Sequence, residues 1–468
     1  MIRLALLLLG PDFIRARWRV LAAIGVLWAA LGVAIFIDAL DGDVWFPVRV
    51  FGYLLILEAL VTLVATTSHL GTQTVLRKSR GVVFLILGIL MIDPHRSAEF
   101  ILALLFGVVV GVDGVLRVSA AWVVRFPGWR ASLFMGVLEL IFAAFMIEPY
   151  PTFYAGTVPY CVGMAFFLSG LGTLLLALRL RKLPPNLSLA ALFARNQPVD
   201  VRALPGALRM LPEKSAGVHT PLTVHVWTPT GSAKDVLPQP LVDRYVAAVD
   251  INGVISTGHA ALEVPPEIYI SHYPAAEIDH SPEDFRQLLR ATKDNNVPGR
   301  FQPSYPIEAA GWCASTAQVV FEHYDSARLR GFWDAYRQDA TYNLTNRNCS
   351  SSVAAALEVA LEGTIGRRRG FGAFLSALVN PELWVAAQLR RHAESMAWTP
   401  GLVLDYARAL RVAIDPPPLG LVTLSTLSLN LVRGVRARRE FAAQLRARAA
   451  AGSGTAGLPG PSRKAENS

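Results

Sequence analysis

Cysteine is scarce: Cys161, Cys313 and Cys349 are the only three in 468 residues. Three thiols cannot build the multi-bridge framework of a small secreted domain, and so low a count fits a reducing compartment. Charge is scarce too, at 17% of residues against 53% hydrophobic. The excess of +9 is not a nucleic-acid footprint. Many of the basic residues flank apolar runs, where they serve topology, and others gather in the Arg-rich C-terminal stretch. Zinc-finger spacing, an aromatic RNA-binding motif and a Walker loop are all missing. No nucleic-acid partner, no metal and no cofactor is expected.

What is present is divided unevenly. Up to about Lys182 the chain is mostly long apolar runs; beyond it charged residues, Pro and Asn become common. That division predicts a membrane module joined to a folded domain, within a length that suits two or three domains. The short apolar run Leu4 to Leu9 lacks a small-residue cleavage site and meets Pro11 and Asp12 at once. An interfacial segment is expected there rather than a signal peptide.

Six apolar segments can be drawn, at 20–38, 47–67, 76–92, 100–122, 131–147 and 156–178. Each approaches the ~20 residues that cross a hydrocarbon core. The third is the weakest, because its uncharged part runs only from Gly81 to Ile92; it spans if Arg77, Lys78 and Arg80 snorkel. Internal repetition supports it. Asp38, Asp93 and Glu148 are spaced 55 and 55 residues apart, each closing the first helix of a hairpin, and Pro94 and Pro149 follow the last two. Gly52, Gly107 and Gly163 recur at matching places in the second helices. The expected unit is a helical hairpin used three times.

Loop charges orient it. The side of the N-terminus carries Arg15, Arg17, Arg19, Arg77, Lys78, Arg80, Arg125, Arg130, Arg179, Arg181 and Lys182, whereas the opposite side carries only Arg49 and Arg96 beside several acids. The positive-inside rule then puts both termini in the cytoplasm of a multi-pass plasma (inner) membrane protein. The repeated hairpins, with an acid and Pro at the outer turn and Gly in the second helix, resemble the HdeD family of small membrane proteins over about residues 15–182. That resemblance implies a link to acid resistance and no catalytic residue. Glu58, Asp113 and Glu139 fall inside the expected spans, where carboxylates are costly. Arg117, four residues after Asp113, offers a local ion pair. Gly107 and Gly111 form a small-xxx-small pair suited to close helix packing.

After a Pro-rich linker, strands are expected first. Leu222 to Trp227 is one; Tyr245 to Ile251 and Val254 to Val264 flank the hairpin signal Asn252-Gly253; Glu267 to Tyr273 follows. Helical patterns come next, over Pro282 to Thr292, Trp312 to Tyr324, Ala327 to Arg337 and Cys349 to Leu361. Sheet before helices reads as α+β.

Two features there carry chemistry. His259 lies on a strand after the Asn-Gly turn and shares a face with Ala261 and Glu263, and His272 sits in the next strand. Asn348-Cys349-Ser-Ser-Ser opens an Ala-rich helix. Free N–H groups and the positive dipole end at such a start stabilise a thiolate and can bind an oxyanion, and a nearby imidazole can accept the thiol proton. The order of strand-borne His, second His and downstream Asn-Cys resembles the circularly permuted papain-like thiol hydrolases, such as the lecithin:retinol acyltransferase-like branch, over about 220–362. The resemblance implies Cys349 as nucleophile, His259 as general base and His272 as the orienting group; Glu263 and Asp279 are alternatives for that third place, as is a dyad with none. Ser350 and Ser351 stand where the acyltransferase branch often has Glu-His, so the resemblance extends to the wider peptidase and amidase superfamily rather than to retinoid chemistry. Cys313, opening its own expected helix, is a rival nucleophile, but His323 lies about 15 Å along that helix and His392 lies among Arg390 and Arg391 on a solvated one.

The expected organisation is therefore an all-α six-helix membrane bundle at 1–182, a linker at 183–215, an α+β papain-like domain at 216–365, a helical extension at 366–448 and a disordered tail at 449–468. Arg367 to Arg369, and the apolar Gly420 to Val432 with the basic residues after it, suit a membrane surface. The expected function is a membrane-anchored cytoplasmic cysteine hydrolase, acting on a membrane-associated protein or lipid, with the bilayer itself as a partner. The alternative is a non-catalytic, stress-related membrane protein whose papain-like domain binds a partner.

Overall fold

The computed structural model describes residues 2–40, 45, 47–64, 72–93, 96–126, 128–150, 153–181, 188–190, 220–228, 248–249, 255–256, 258–276, 278, 287, 289–369 and 380–415. Two short helices, α1 (Ile2–Leu9) and α2 (Pro11–Ala16), precede six long ones: α3 (Trp18–Asp38), α4 (Val48–Val64), α5 (Thr72–Ile92), α6 (Arg96–Val124), α7 (Trp129–Ile147) and α8 (Thr157–Arg181). Four of these, α3, α6, α7 and the helix ending at Arg181, are long and apolar enough to cross a membrane. Helix α4 is 17 residues long and α5 opens on its basic residues.

The six helices pack chiefly as antiparallel pairs, α3 with α8, α4 with α5 and α6 with α7. Glycine makes this possible. A methyl on Gly163 would lie 2.8 Å from the Gly32 carbonyl oxygen, and one on Gly170 would lie 2.6 Å from that of Gly25. The same contact recurs between Gly88 and Gly52 at 2.8 Å and between Gly136 and Gly114 at 3.2 Å. Close backbone approach of this kind replaces hydrophobic driving force where the solvent is lipid. The tight pairs join the second helix of one expected hairpin to the first helix of the next, and α8 returns to α3.

The three acids within the apolar helices are all paired. Glu58 binds Arg80, Asp113 binds Arg117 at 3.3 Å, and Arg117 also reaches Glu139 at 2.9 Å. Arg391, from the C-terminal half, binds Asp113 as well.

The later region is α+β. Its main sheet has the order β5 (Ile268–Ile270), β4 (His259–Val264), β1 (Leu222–Trp227), β8 (Ala317–Phe321), all antiparallel. Strands β6 (His272–Pro274), β7 (Val297–Phe301) and β9 (Thr341–Tyr342) form a second small sheet, and β2 (Ala248–Val249) pairs with β3 (Ile255–Ser256). The turn residues Asn252-Gly253 and most of the helix expected at Pro282 to Thr292 lie outside the described residues. The stretch expected as one strand, Glu267 to Tyr273, is split between the two sheets.

Alternation gives the main sheet two unlike faces. Leu222, Val224, Val226, Ala260, Leu262, Ile270, Val319 and Phe321 are buried in one hydrophobic core. Helices α11 (Cys349–Leu361) and α14 (Pro400–Ile414) cover that side, with α13 (Pro381–Ser395) behind. The other face carries His225, Trp227, His259, Glu263 and Tyr269 and lies under α9 (Tyr305–Gly311). Helices α10 (Ser326–Tyr336) and α12 (Thr364–Arg369) complete the set.

Two expectations are overturned. The Trp312 to Tyr324 stretch is not a helix: Ala317 to Phe321 is an edge strand, because Val319 and Phe321 alternate with Gln318 and Val320 and bury one side only. Helix α1 is not interfacial. Leu4 to Leu9 are all buried in the same core as Leu357 and Leu361, and the Gly363 N–H donates to the Leu7 carbonyl at 3.0 Å.

Candidate functional site

Helix α11 begins where the sequence places it, and the cap shows why. The Asn348 side chain accepts from the Ser351 N–H at 2.8 Å while the Ser351 hydroxyl accepts from the Asn348 N–H at 2.8 Å, a reciprocal box that satisfies two helix-terminal donors. Asn348 Nδ2 also donates to Leu344 and Trp398 carbonyls at 2.7 and 3.0 Å. Cys349 is thereby fixed as the first helical residue, and every residue of the helix is buried.

The thiol lies against strand β4. Cys349 lies beside Ala260, the residue that follows His259, whose backbone amide favours the ionised thiol. Ser350 Oγ lies 3.7 Å from the thiol. Among the described residues no hydrogen bond joins the thiol to the His259 ring.

His259 is anchored through Nε2, 2.9 Å from Ser271 Oγ and 3.3 Å from Glu308 Oε1. Its ring lies flat on Tyr273, with centroids 4.0 Å apart. Glu308 is itself buried and accepts from the hydroxyls of Tyr269 at 2.5 Å and Tyr273 at 2.7 Å. A carboxylate with three donors in a dry site is satisfied rather than stranded.

The groups bonded to the His259 ring are thus Ser271 and Glu308, and not His272. His272 is also buried, but Nδ1 meets the Tyr336 hydroxyl at 3.1 Å and Nε2 meets the Ala340 carbonyl at 3.3 Å. Of the alternatives, Glu263 binds His225 at 3.0 Å instead, and Asp279 lies outside the described residues. Cys313 is in the loop before β8, its carbonyl accepting from Trp227 Nε1 at 2.7 Å. His323 belongs to a different neighbourhood, bonded to Asp415 at 3.1 Å, and His392 is exposed.

Burial governs the proton states. Desolvation pushes the Cys349 thiol up, with Glu308 adding to it, against the lowering effect of the Ser350 and Ala260 donors. Desolvation brings the His259 imidazole down to about 3, helped by the nearby His272, and His272 itself to about 4. The thiolate expected from the helix dipole is not the resting form: removal from water outweighs the dipole and the N–H donors. The resting groups are a neutral thiol and a neutral imidazole rather than a standing ion pair.

Sequence reasoning missed Glu308, Ser271 and His225. Glu308 follows Tyr305-Pro306 on a short helix with no local motif around it. His225 shares a strand face with Thr223 and Trp227, which marks its side of the sheet but not its partners.

No family model, no curated protein and no solved structure matches this chain. The site therefore rests on its own geometry.

Proposed function

We propose that this chain is a multi-pass protein of the plasma (inner) membrane, HdeD-like in its helical part, whose permuted papain-like domain is a thiol hydrolase facing the cytoplasm. Three observations support the topology. Helix α1 shares a core with the α+β domain, so both occupy one side and an even number of crossings separates them. Helices α4 and α5 complete the pair pattern of the four strongly apolar helices, making six spans the consistent count. The basic residues gather on the side of α1, which the positive-inside rule assigns to the cytoplasm.

One observation carries the chemistry: a cysteine at the capped start of a buried helix lies beside Ala260, the neighbour of His259, and that histidine's Nε2 is held by Ser271 and Glu308. In this reading His259 takes the Cys349 proton as sulfur attacks an amide, ester or thioester, then returns it to the leaving group. Water releases the acyl group. Glu308 holds the ring and stabilises the imidazolium that forms.

A specific observation favours a second reading. Cys349 is 8% exposed and its thiol is pushed up by burial, as befits a degenerate domain that binds a partner. Labelling with an iodoacetamide-type probe across pH separates the two, using Cys349→Ala, Cys313→Ala and His259→Ala. Hydrolase chemistry predicts modification of Cys349 at neutral pH that slows ~100-fold or more without His259, the range general-base assistance supplies. Modification only at alkaline pH, indifferent to His259, would leave the binding reading standing.

A further inference from the structure

A second chain of catalytic side-chain types crosses the polar face of the main sheet. Ser315 Oγ is 3.2 Å from His225 Nδ1, and His225 Nε2 is 3.0 Å from Glu263 Oε2. His225 is buried and stacked on Tyr305 with centroids 3.9 Å apart, while Ser315 is half-buried on the loop leading into β8. From Ser315 Oγ, Gln318 Nε2 lies 3.0 Å away and the Tyr305 hydroxyl 3.2 Å. Trp312, three residues earlier, is exposed and stacked on the buried Trp227.

The hydrogen-bond roles follow from the acceptors. A carboxylate only accepts, so His225 Nε2 carries the proton that faces Glu263. Burial disfavours the imidazolium at His225, and in a neutral ring Nδ1 is then a bare acceptor. Its partner there is Ser315, whose hydroxyl must donate. The arrangement runs Ser O–H to His Nδ1 and His Nε2–H to Glu, the sense in which a base can take the hydroxyl proton and a carboxylate can steady the resulting imidazolium. Gln318 Nε2 and the Tyr305 hydroxyl both approach Ser315 Oγ and are donor types that can steady charge developing beside it.

We propose that Ser315, His225 and Glu263 form a second, serine-based acyl-transfer site, with carboxylic esters bearing an apolar acyl group as the substrate class. Ser315 Oγ bonds to the carbonyl carbon as its proton passes to His225 Nδ1. The C–O bond to the alcohol breaks and the alcohol leaves with that proton. Water then attacks the acyl-serine, delivering one proton to Nδ1, and the serine recovers it as the carboxylic acid departs. The exposed Trp312 face offers the apolar contact for the acyl group.

The test uses the full chain in detergent on a Cys349→Ala background, so that its outcome is independent of the thiol reading. A fluorophosphonate probe is applied and the adduct located by peptide mass. The expected result is one adduct on Ser315, absent from Ser315→Ala, and formed ~100-fold more slowly in His225→Gln, within the range expected for loss of a general base. Glu263→Gln should slow it as well, with an unchanged melting temperature, and turnover of a short p-nitrophenyl ester should fall in parallel. Ser315→Ala removes one half-buried hydroxyl, so loss of labelling with an unaltered melt cannot be a folding effect. A folded wild-type background with no adduct on Ser315, or a His225→Gln chain labelled at the unsubstituted rate, overturns the proposal.

Discussion

The helices before residue 182 and the domain after residue 220 are built inside out relative to one another. In the helical part the large residues face outward: Leu27, Leu57 and Ile141 are 65%, 60% and 61% exposed, while Gly25, Gly32 and Gly136 are buried between helices. In the domain the large apolar residues are inside, and the buried charges are placed in hydrogen-bonded sets. The difference is one of solvent. Lipid gives no reward for hiding leucine, so the helices are held by close backbone contact; water does, at roughly 1.5–3 kcal/mol for each fully buried side chain.

The sharpest way to break the domain side of this comparison is at Glu358. It is buried on α11 and bonded to Arg390 at 2.7 and 3.0 Å and to the Tyr406 hydroxyl at 2.9 Å, tying three helices together. Glu358→Ala strips the buried Arg390 guanidinium of one of its carboxylates, Glu394 staying at 2.6 Å, and should cost about 1.5–3 kcal/mol, read as a lower melting temperature of the purified chain. A paired replacement of Glu358 and Arg390 by apolar residues should recover most of that loss.

On the membrane side the sensitive positions are the glycines. Gly163→Leu forces a side chain into the Gly32 carbonyl and should separate α3 from α8, at a cost of about 1–3 kcal/mol or more. The exposed Leu27→Ala, although it removes three carbon atoms, should alter the melt in detergent by far less. Equal effects from the two would sink the inside-out account.

Acidity tests the polar core next. His259 and His272 have folded values of about 3 and 4, below the ordinary imidazole value near 6.5. The unfolded chain therefore binds more protons between those values, and stability rises with pH across that window. The contribution is complete above about pH 6.5 and is lost as pH falls toward 4 and then 3. Denaturant unfolding of His272→Gln should show a weaker dependence between pH 4 and 6.5 than the unsubstituted chain; an identical slope would mean that the ring is not desolvated.

How much of this could be read in the sequence depends on whether the determinant is local. The start of α11 was legible because Asn348, Cys349 and Ser351 carry a complete capping signal within four residues. The threefold repeat was legible because glycine and acid spacing survive without knowledge of the packing. The pairing of α8 with α3 was not, since it joins segments that the repeat keeps apart. Strand β8 was misread because Ala-Gln-Val-Val-Phe fits a helix as well as an edge strand, and only its register against β1 decides. The burial of α1 was hidden for a similar reason: eight apolar residues look alike whether they meet a lipid surface or Leu361. At the candidate site the sequence named Cys349 and His259, which carry motif and strand signals, but missed Glu308, whose role exists only once α9 folds over β4 and β5.

The smallest expected effect lies where the two regions meet. Arg391 of α13 binds Asp113 of α6, and Trp384 of the same helix lies under the Arg80 guanidinium at 4.7 Å. The first contact is half exposed on both partners, so solvent screens it and Arg391→Ala should change global stability by less than ~1 kcal/mol. Its consequence should be local. Asp113 keeps Arg117, so the apolar helices retain a paired acid, while α13 loses one of its ties to them. Limited proteolysis should then cut more readily around α13 in Arg391→Ala than in the unsubstituted chain, and more readily still in Trp384→Ala, with the melt of the helical part unchanged. If proteolysis and melting moved together, the domain and the helices would be a single cooperative unit, and the contrast between them would be one of composition and not of independent stability.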